Sequence, residues 1–281
     1  MRVFVVGATG VLGRHTLPRL VERGHSITAV ARHPEDVARL RRLGVEAHRG
    51  DILDAESLRE PLRECDVALH LATAIPTYRP GMGWDLNDRI RREGTRNLLA
   101  AAREQGVRRY VQQSITLLYG DGGDQLVSEE HPLAPYPRIA SALEMEEAVR
   151  ASSLDWVILR GGSFYGPGTG REDAWYREAE DGTLTVPGDG SSLLSLIRVE
   201  DMARAVVLAG EAAPAGAVYN VVDDVPVSYR ELYNYVAARK MLPESPAGGP
   251  PATSLGCSNA AIRRALGWEP AWPSYRSGLA Q

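Results

Sequence analysis

One stretch constrains this chain more than any other: Val3 to Gly13, VFVVGATGVLG. Four apolar residues, three of them β-branched, predict a short buried strand from Val3 to Val6. Glycines follow at Gly7, Gly10 and Gly13, overlapping a helical pattern carried by Leu12, Leu17, Leu20 and Val21. In such a turn the first glycine lets the chain reverse tightly. The second lets backbone approach a pyrophosphate, and the third lets helix and strand pack closely. The helix N-terminus then offers unpaired N–H donors and a partial positive charge to phosphate oxygens. A second strand, Ser26 to Ala31, completes the strand–turn–helix–strand order, so the turn reads as a dinucleotide site. Its backbone and side chains (Gly7, Thr9, Gly10, Val11, Leu12, Gly13 and Arg14) are the expected cofactor contacts.

The next residues address which dinucleotide. An acid about 20 positions past the glycines is the usual partner of the ribose hydroxyls of NAD. The second strand here ends instead at Arg32 and His33, and Arg14 directly follows Gly13. Cations at these places suit a 2′-phosphate, which predicts NADPH; a solvated arginine at a strand end is the alternative. The skew toward arginine is general, since Lys240 is the only lysine among 32 basic residues.

With 281 residues, 44% of them hydrophobic, the chain can bury one large α/β unit with room for a small appendage. A net charge of −4 argues against a nucleic-acid or anionic-membrane surface. Cys65 and Cys257 lie far apart, which suits reduced thiols in a cytoplasmic protein. A core strand right at the start leaves no room for a signal peptide, and no apolar run reaches the ~20 residues of a membrane span. The six histidines show no ligand spacing, so no metal site is expected, and no Gly-x-Ser-x-Gly elbow is present.

Further along, Glu35 to Leu43 reads as a helix and Val45 to His48 as the third strand, leading into Gly50-Asp51-Ile52-Leu53-Asp54. Asp51 is placed to accept from the adenine amino group while Ile52 covers the ring; Asp54 reads as a cap for the next helix. Val67 to Leu71 is the fourth strand, running into Ala72-Thr73-Ala74, so Leu71, Ala72 and Thr73 are expected beside the cofactor. A long amphipathic helix from Asp85 to Gln105, a fifth strand from Arg109 to Gln113, a helix from Arg138 to Ser152 and a sixth strand from Trp156 to Leu159 follow. This alternation predicts an α/β fold: a Rossmann, doubly wound parallel sheet with right-handed crossovers.

With these elements in place the chain resembles the extended short-chain dehydrogenase/reductases, the sugar-nucleotide epimerase and dehydratase type. The resemblance rests on Gly7-Ala-Thr-Gly10-Val-Leu-Gly13, Gly94-Thr-Arg-Asn97 and Leu159-Arg160-Gly161-Gly162-Ser163-Phe164-Tyr165-Gly166-Pro167. Arg198-Val199-Glu200-Asp201-Met202-Ala203, Tyr219-Asn220-Val221 and Leu266-Gly267-Trp268-Glu269-Pro270 extend it over nearly the whole length. It implies residues 1–160 as the NADP-binding domain and 161–281 as a smaller substrate-binding lobe, interleaved with the sheet, with Gly161 and Ser163 contributing to the cofactor site. A lid is expected over Gly166 to Thr185, its Trp175 and Tyr176 either facing an aromatic substrate or packing underneath.

Members of this family that move hydride use Tyr-x-x-x-Lys plus a Ser or Thr after the fifth strand; tyrosine gives the proton and lysine lowers its pKa and holds the nicotinamide ribose. Here Tyr136-Pro-Arg138-Ile-Ala140-Ser141-Ala142 occupies the helix start. Aligned on Ser141-Ala142, the register puts Arg138 at the tyrosine and Ala142 at the lysine; aligned on Tyr136, it puts Ala140 at the lysine. No register restores the pair. Ser114, then Thr116, are the candidate substrate-polarising hydroxyls, unless both simply line the strand end.

The resemblance therefore implies an atypical, cytoplasmic NADPH-dependent ketoreductase acting on an aromatic ketone, similar to the angucyclinone-type ketoreductases of antibiotic biosynthesis. A non-catalytic NADP(H) redox sensor and a sugar-nucleotide epimerase or dehydratase are the alternatives. Neither nucleic acid nor membrane is an expected partner, and the sequence leaves the oligomeric state open.

Overall fold

A computed structural model describes residues 1–75 and 83–279. The first half of the chain alternates β1 (Arg2–Val6), α1 (Val11–Glu22), β2 (Ser26–Ala31), α2 (Pro34–Arg42), β3 (Glu46–Arg49), α3 (Glu56–Leu62) and β4 (Val67–His70). Then come α4 (Asp85–Arg89), a π-helical turn (Ile90–Gly94), α5 (Thr95–Glu104), β5 (Arg109–Ile115), β6 (Leu126–Val127) and α6 (Ala140–Arg150). The second half holds β7 (Asp155–Gly161), β8 (Ser163–Tyr165), α7 (Arg171–Glu180), β9 (Leu193–Leu194), β10 (Leu196–Arg198), α8 (Val199–Ala212) and β11 (Ala217–Val221). It closes with β12 (Val227–Ser228), α9 (Tyr229–Arg239), β13 (Gly256–Cys257), α10 (Ala260–Leu266) and α11 (Tyr275–Gly278).

Seven strands make the main sheet in the order β11-β7-β5-β4-β1-β2-β3. β1 runs parallel to both β2 and β4, and β2/β3 and β4/β5 are parallel as well. β1 and β4 therefore sit at the reversal of strand order, the place where an open α/β sheet leaves a crevice at its carboxyl edge. β1 is buried on both faces, as in a parallel sheet covered on both sides, which is why Val3, Phe4 and Val5 read as one continuous run rather than an alternation. This is the doubly wound Rossmann sheet that the sequence predicts.

The chain divides into two compact units. One comprises residues 1–114, 137–160 and 202–219; the other comprises 115–136, 161–201 and 220–281. Ile115 to Tyr136 belongs to the second unit and Met202 to Tyr219 to the first. The second unit carries the short pairs β8/β10, β9/β12 and β6/β13. Its core is built from Tyr165, Trp175, Leu184, Leu196, Leu232 and Tyr275, among others.

Three polar ties fix the second unit, and each uses a motif residue. Tyr119 donates to Asn220 Oδ1 at 2.8 Å, and Tyr165 donates to Asp223 Oδ2 at 3.0 Å. The buried Asp201 carboxylate accepts from the backbone of Ala271 and Trp272, while the Trp268 indole donates to the Asp201 carbonyl. Among the described residues no helix is long and apolar enough to cross a membrane, and no group of three or more His, Cys, Asp or Glu residues is placed to hold a metal.

Candidate cofactor and active site

The glycine turn is built as its spacing demands. Gly7 has φ +87°, and a Cβ there would lie 2.5 Å from the Ala72 nitrogen. Only glycine lets the turn after β1 cross so close to the residues after β4. A Cβ on Gly13 would lie 2.2 Å from the Gly7 carbonyl, so the third glycine lets α1 rest on the turn. Leu71 N–H still bonds to the Val6 carbonyl at 3.0 Å, which keeps Leu71 and Ala72 alongside the turn although β4 itself ends at His70. Gly10 caps α1 without a side-chain hydrogen bond, and the first turn of that helix carries no acid. Its leading N–H groups and dipole are left to serve an anion.

At the adenosine end, Arg32 and His33 follow β2 and are exposed, as is Arg14. Among the described residues none of these three side chains has a hydrogen-bond or ion-pair partner, in a protein where most arginines do. Asp51 closes a local turn: its Oδ1 accepts from Leu53 N–H at 3.0 Å, and its own N–H donates to Ser57. Ile52 is buried and held from two sides. Asn97 Nδ2 donates to its carbonyl, and a Cβ on Gly94 would press on its side chain at 3.0 Å. The Gly94 to Asn97 motif thus serves Ile52. Asp54 accepts from Glu56 N–H at 3.2 Å, helping to start α3.

The catalytic positions differ more from expectation. β5 runs to Ile115, two residues further than the sequence pattern indicates, so Ser114 lies inside the strand rather than at its end. Its hydroxyl donates to Glu146 Oε1 at 2.7 Å. Glu146 is fully buried on α6 and pairs with Arg160 of β7, through Nε at 2.9 Å and Nη2 at 2.6 Å. Ser114 thus spends its proton on a buried ion pair. Thr116 is buried at the start of a 3-10 turn, Thr116–Tyr119. Arg138 is exposed in another 3-10 turn, Pro137–Ile139, and Ala142 is fully buried on α6. Tyr136, in the second unit, shares a hydrogen bond with Thr253 Oγ1 at 2.7 Å. Lys240, also in that unit, is paired with Glu180 at 2.8 Å.

Sequence reasoning assigned no role to three buried polar groups. Glu146 sits on the apolar face of α6 with Ala142, Met145 and Val149, and an acid at that spacing was the available signal. Arg91 lies in the π-helical turn with 4% of its surface exposed; burial pushes its pKa down to about 10, with Asp88 opposing, so it stays charged at neutral pH. His70, at the end of β4, meets the Tyr110 hydroxyl at 3.0 Å, and burial lowers its pKa to about 4, leaving a neutral ring. In the second unit Gly162 N–H donates to the Val221 carbonyl and Ser163 N–H to the Ser195 carbonyl, so β8 is tied by backbone on both sides. Trp175 is buried in that unit's core.

A glycine turn beneath a helix N-terminus, at the reversal of a parallel sheet, defines a dinucleotide-binding α/β protein. Residues 3–222 match the model of the NAD dependent epimerase/dehydratase family, and the chain belongs to that family, the extended short-chain dehydrogenase/reductases. It is 33% identical to the 3-diazoavenalumate denitrifying reductase of a Streptomyces species, over 99% of both chains. It is 31% identical to the 4-hydroxy-2-methyl-3-oxo-4-farnesyl-3,4-dihydroquinoline-1-oxide ketoreductase of Stigmatella aurantiaca, over 83% of this chain and 71% of that one. Among solved structures it resembles the dTDP-glucose 4,6-dehydratase DesIV of Streptomyces venezuelae, solved with NAD bound. The TM-score is 0.86 at 25% identity, over 100% of this chain and 95% of that one.

Proposed function

We propose that this chain is an NADPH-dependent reductase whose small aromatic substrate, not the protein, balances the charge left by hydride transfer. The observation that carries this reading is that no register keeps the family's tyrosine and lysine together. One puts Arg138 and Ala142 at those positions, the other Tyr136 and Ala140, with Tyr136 bonded to Thr253, and the hydroxyl of Ser114 is committed to Glu146. NADPH, when bound, supplies a hydride. Gly7, Gly10, Gly13 and the first turn of α1 would hold its pyrophosphate; Arg14, Arg32 and His33 would hold the 2′-phosphate; and Ile52 would cover the adenine. NAD-bound relatives and the family model support a nicotinamide cofactor in general; the three unpartnered cations support NADPH in particular.

A ketone that accepts hydride becomes an alkoxide, and its charge must be stabilised or protonated. An aromatic ketone with an adjacent phenol carries its own donor, polarising the carbonyl before transfer and supplying the proton afterwards. The similarity to a quinoline ketoreductase supports a ketone. The similarity to a denitrifying reductase of a diazo compound supports a second substrate with the same property. When hydride replaces dinitrogen at an aryl diazonium carbon, Ar–N₂⁺ + H⁻ gives Ar–H + N₂, and no proton is asked of the protein. In both readings the protein supplies binding, orientation and exclusion of water, worth several kcal/mol.

The test follows NADPH oxidation with a hydroxyaryl ketone, its phenol-methylated form and an aryl diazonium salt, with binding of each measured separately. Turnover of the free phenol or the diazonium, with none of the bound methyl ether, is expected. Equal turnover of the methyl ether would show that the protein has its own acid. Tight NADPH binding with no turnover of any of them would favour the redox sensor.

A further inference from the structure

Arg91 and Asn87 form a pair of buried donors that the described residues leave short of acceptors: Asn87 Nδ2 has none and the Arg91 guanidinium has one. Four residues apart in consecutive helical turns, they lie on one face of the segment α4 to α5. Three contacts show where that face points. One is the Asn87 side chain, whose Oδ1 accepts from Ala74 N–H at 3.0 Å, two residues past Ala72 and the glycine turn. The second is Gly94, which abuts Ile52, and the third is Thr95, whose hydroxyl lies 3.4 Å from His70 at the end of β4. The face therefore runs along the carboxyl ends of the strands where the cofactor turn lies.

On this face Asn87 is fully buried, and its Nδ2 has no hydrogen-bond partner among the described residues. Among the described residues the Arg91 guanidinium, with five N–H groups, makes one long bond, from Nη1 to Ser141 Oγ at 3.3 Å, and the Ser141 hydroxyl in turn donates to Asp88 Oδ1 at 2.6 Å. A buried guanidinium with so few acceptors is expensive unless a ligand supplies more. Ser141 adjoins Ala142, which stands at the family's lysine when the chain is aligned on Ser141-Ala142. The missing cation and the unassigned cation thus meet across one side chain, brought there by two different helices.

We infer that Arg91, with Asn87 beside it, is a binding subsite for the nicotinamide-ribose half of the dinucleotide, taking the place of the lysine that Ala142 lacks. The donors fit hydroxyl and pyrophosphate oxygens. Arg91 binds and orients; it gives no proton, which agrees with a reductase that lacks its own acid. The inference rests on the dinucleotide reading above.

Calorimetry with the whole chain separates this role from a structural one, with NADPH compared against adenosine 2′,5′-bisphosphate, which carries the adenine end alone. In Arg91→Ala the NADPH dissociation constant should rise about ten-fold or more, while that of the bisphosphate stays within two-fold. Adding Ala142→Lys to Arg91→Ala should recover most of the lost NADPH affinity. Arg91→Met, which keeps the apolar stem, serves if the alanine variant does not fold. Equal weakening of both ligands, no change in NADPH affinity, or no recovery with the added lysine would each overturn the assignment. A parent chain that binds neither ligand would refute the dinucleotide reading itself.

Discussion

Replacing Glu146 by glutamine should unfold the first unit far more readily, because that side chain is a carboxylate paired with Arg160 in a site closed to water. Glu146 has 0% of its surface exposed and Arg160 has 1%. The carboxylate accepts two guanidinium bonds of 2.9 and 2.6 Å and one from Ser114 at 2.7 Å; the half-exposed Arg150 stands farther off at 3.5 Å. Breaking a buried pair on one side costs about 3–5 kcal/mol, since the remaining charge is left uncompensated. Removing both charges is different: well-packed apolar replacements of a buried pair are often neutral. Glu146→Leu/Arg160→Met should therefore recover at least half of the loss. Adding Ser114→Ala should recover more, because it removes the orphaned hydroxyl. The two units need not unfold together, so hydrogen exchange of β5 and β7 amides reports the relevant free energy better than a global melt. A loss below about 1 kcal/mol in Glu146→Gln, or a double variant as unstable as the single one, would refute this account.

Ser114→Ala alone should cost about 1.5–3 kcal/mol of stability, the value of a hydrogen bond to a charged group, while turnover stays within a few-fold; a hundred-fold fall in turnover at unchanged NADPH affinity would restore its catalytic role. Arg32→Ala should weaken NADPH about ten-fold and leave NADH unchanged, and equal dissociation constants for the two cofactors in the parent would refute the 2′-phosphate assignment. Asp223 should give the second unit a pH dependence. Burial, with Asp201 and Asp224 nearby, lifts its pKa to about 7, against the bond from Tyr165. A folded pKa above the unfolded one means the native state holds the extra proton. Stability is then greatest near pH 4 and declines as pH rises toward 7. Asp223→Asn should gain on the parent across that window and no further above it; a constant difference would count against it. Trp175→Ala should cost about 3–5 kcal/mol as a core truncation; a raised KM at unchanged stability would place Trp175 against substrate instead.

How much of this was legible in the sequence depended on how local each constraint is. Gly7, Gly10 and Gly13 answer to a backbone crossing within a few residues, and their order between strand and helix was enough. Arg32 and His33 could be placed because β2 ends where its apolar run ends. Ser114 could not: the polar letters Gln112, Gln113 and Ser114 suggest a strand running out, yet β5 continues because those side chains find buried partners. Glu146 was visible as an acid on an apolar helix face, but its partner lies on a later strand, at a distance no periodicity reports. The same holds for Ile115 to Tyr136, whose place in the second unit comes from pairing with residues more than a hundred positions away, as in Tyr119 with Asn220 and β6 with β13. Trp175 read equally well as a substrate contact or a core residue, since an aromatic on a half-charged helix carries no mark of which face is covered.

These two kinds of residue also differ in what their loss costs. Glu146 with Arg160 and Tyr165 with Asp223 are buried side-chain pairs, and removing one member leaves the other short of a partner in a dry interior. Such residues hold this chain's frame whatever the reaction it runs. A catalytic tyrosine and lysine face a ligand instead, so a chain can lose them and fold just as well. That asymmetry explains how this chain keeps the frame motifs and lacks the pair. It also moves the question of chemistry to the few side chains the frame does not need. Arg138 is exposed and Ala142 offers no functional group, which leaves, among the described residues, Asn87 Nδ2 without an acceptor and Arg91 with one on the crevice side of α4 and the turn after it. If those donors bind the cofactor, this chain has retained the positioning half of the lost pair and given up the acid half, and only substrates that need no acid from the protein remain within its reach.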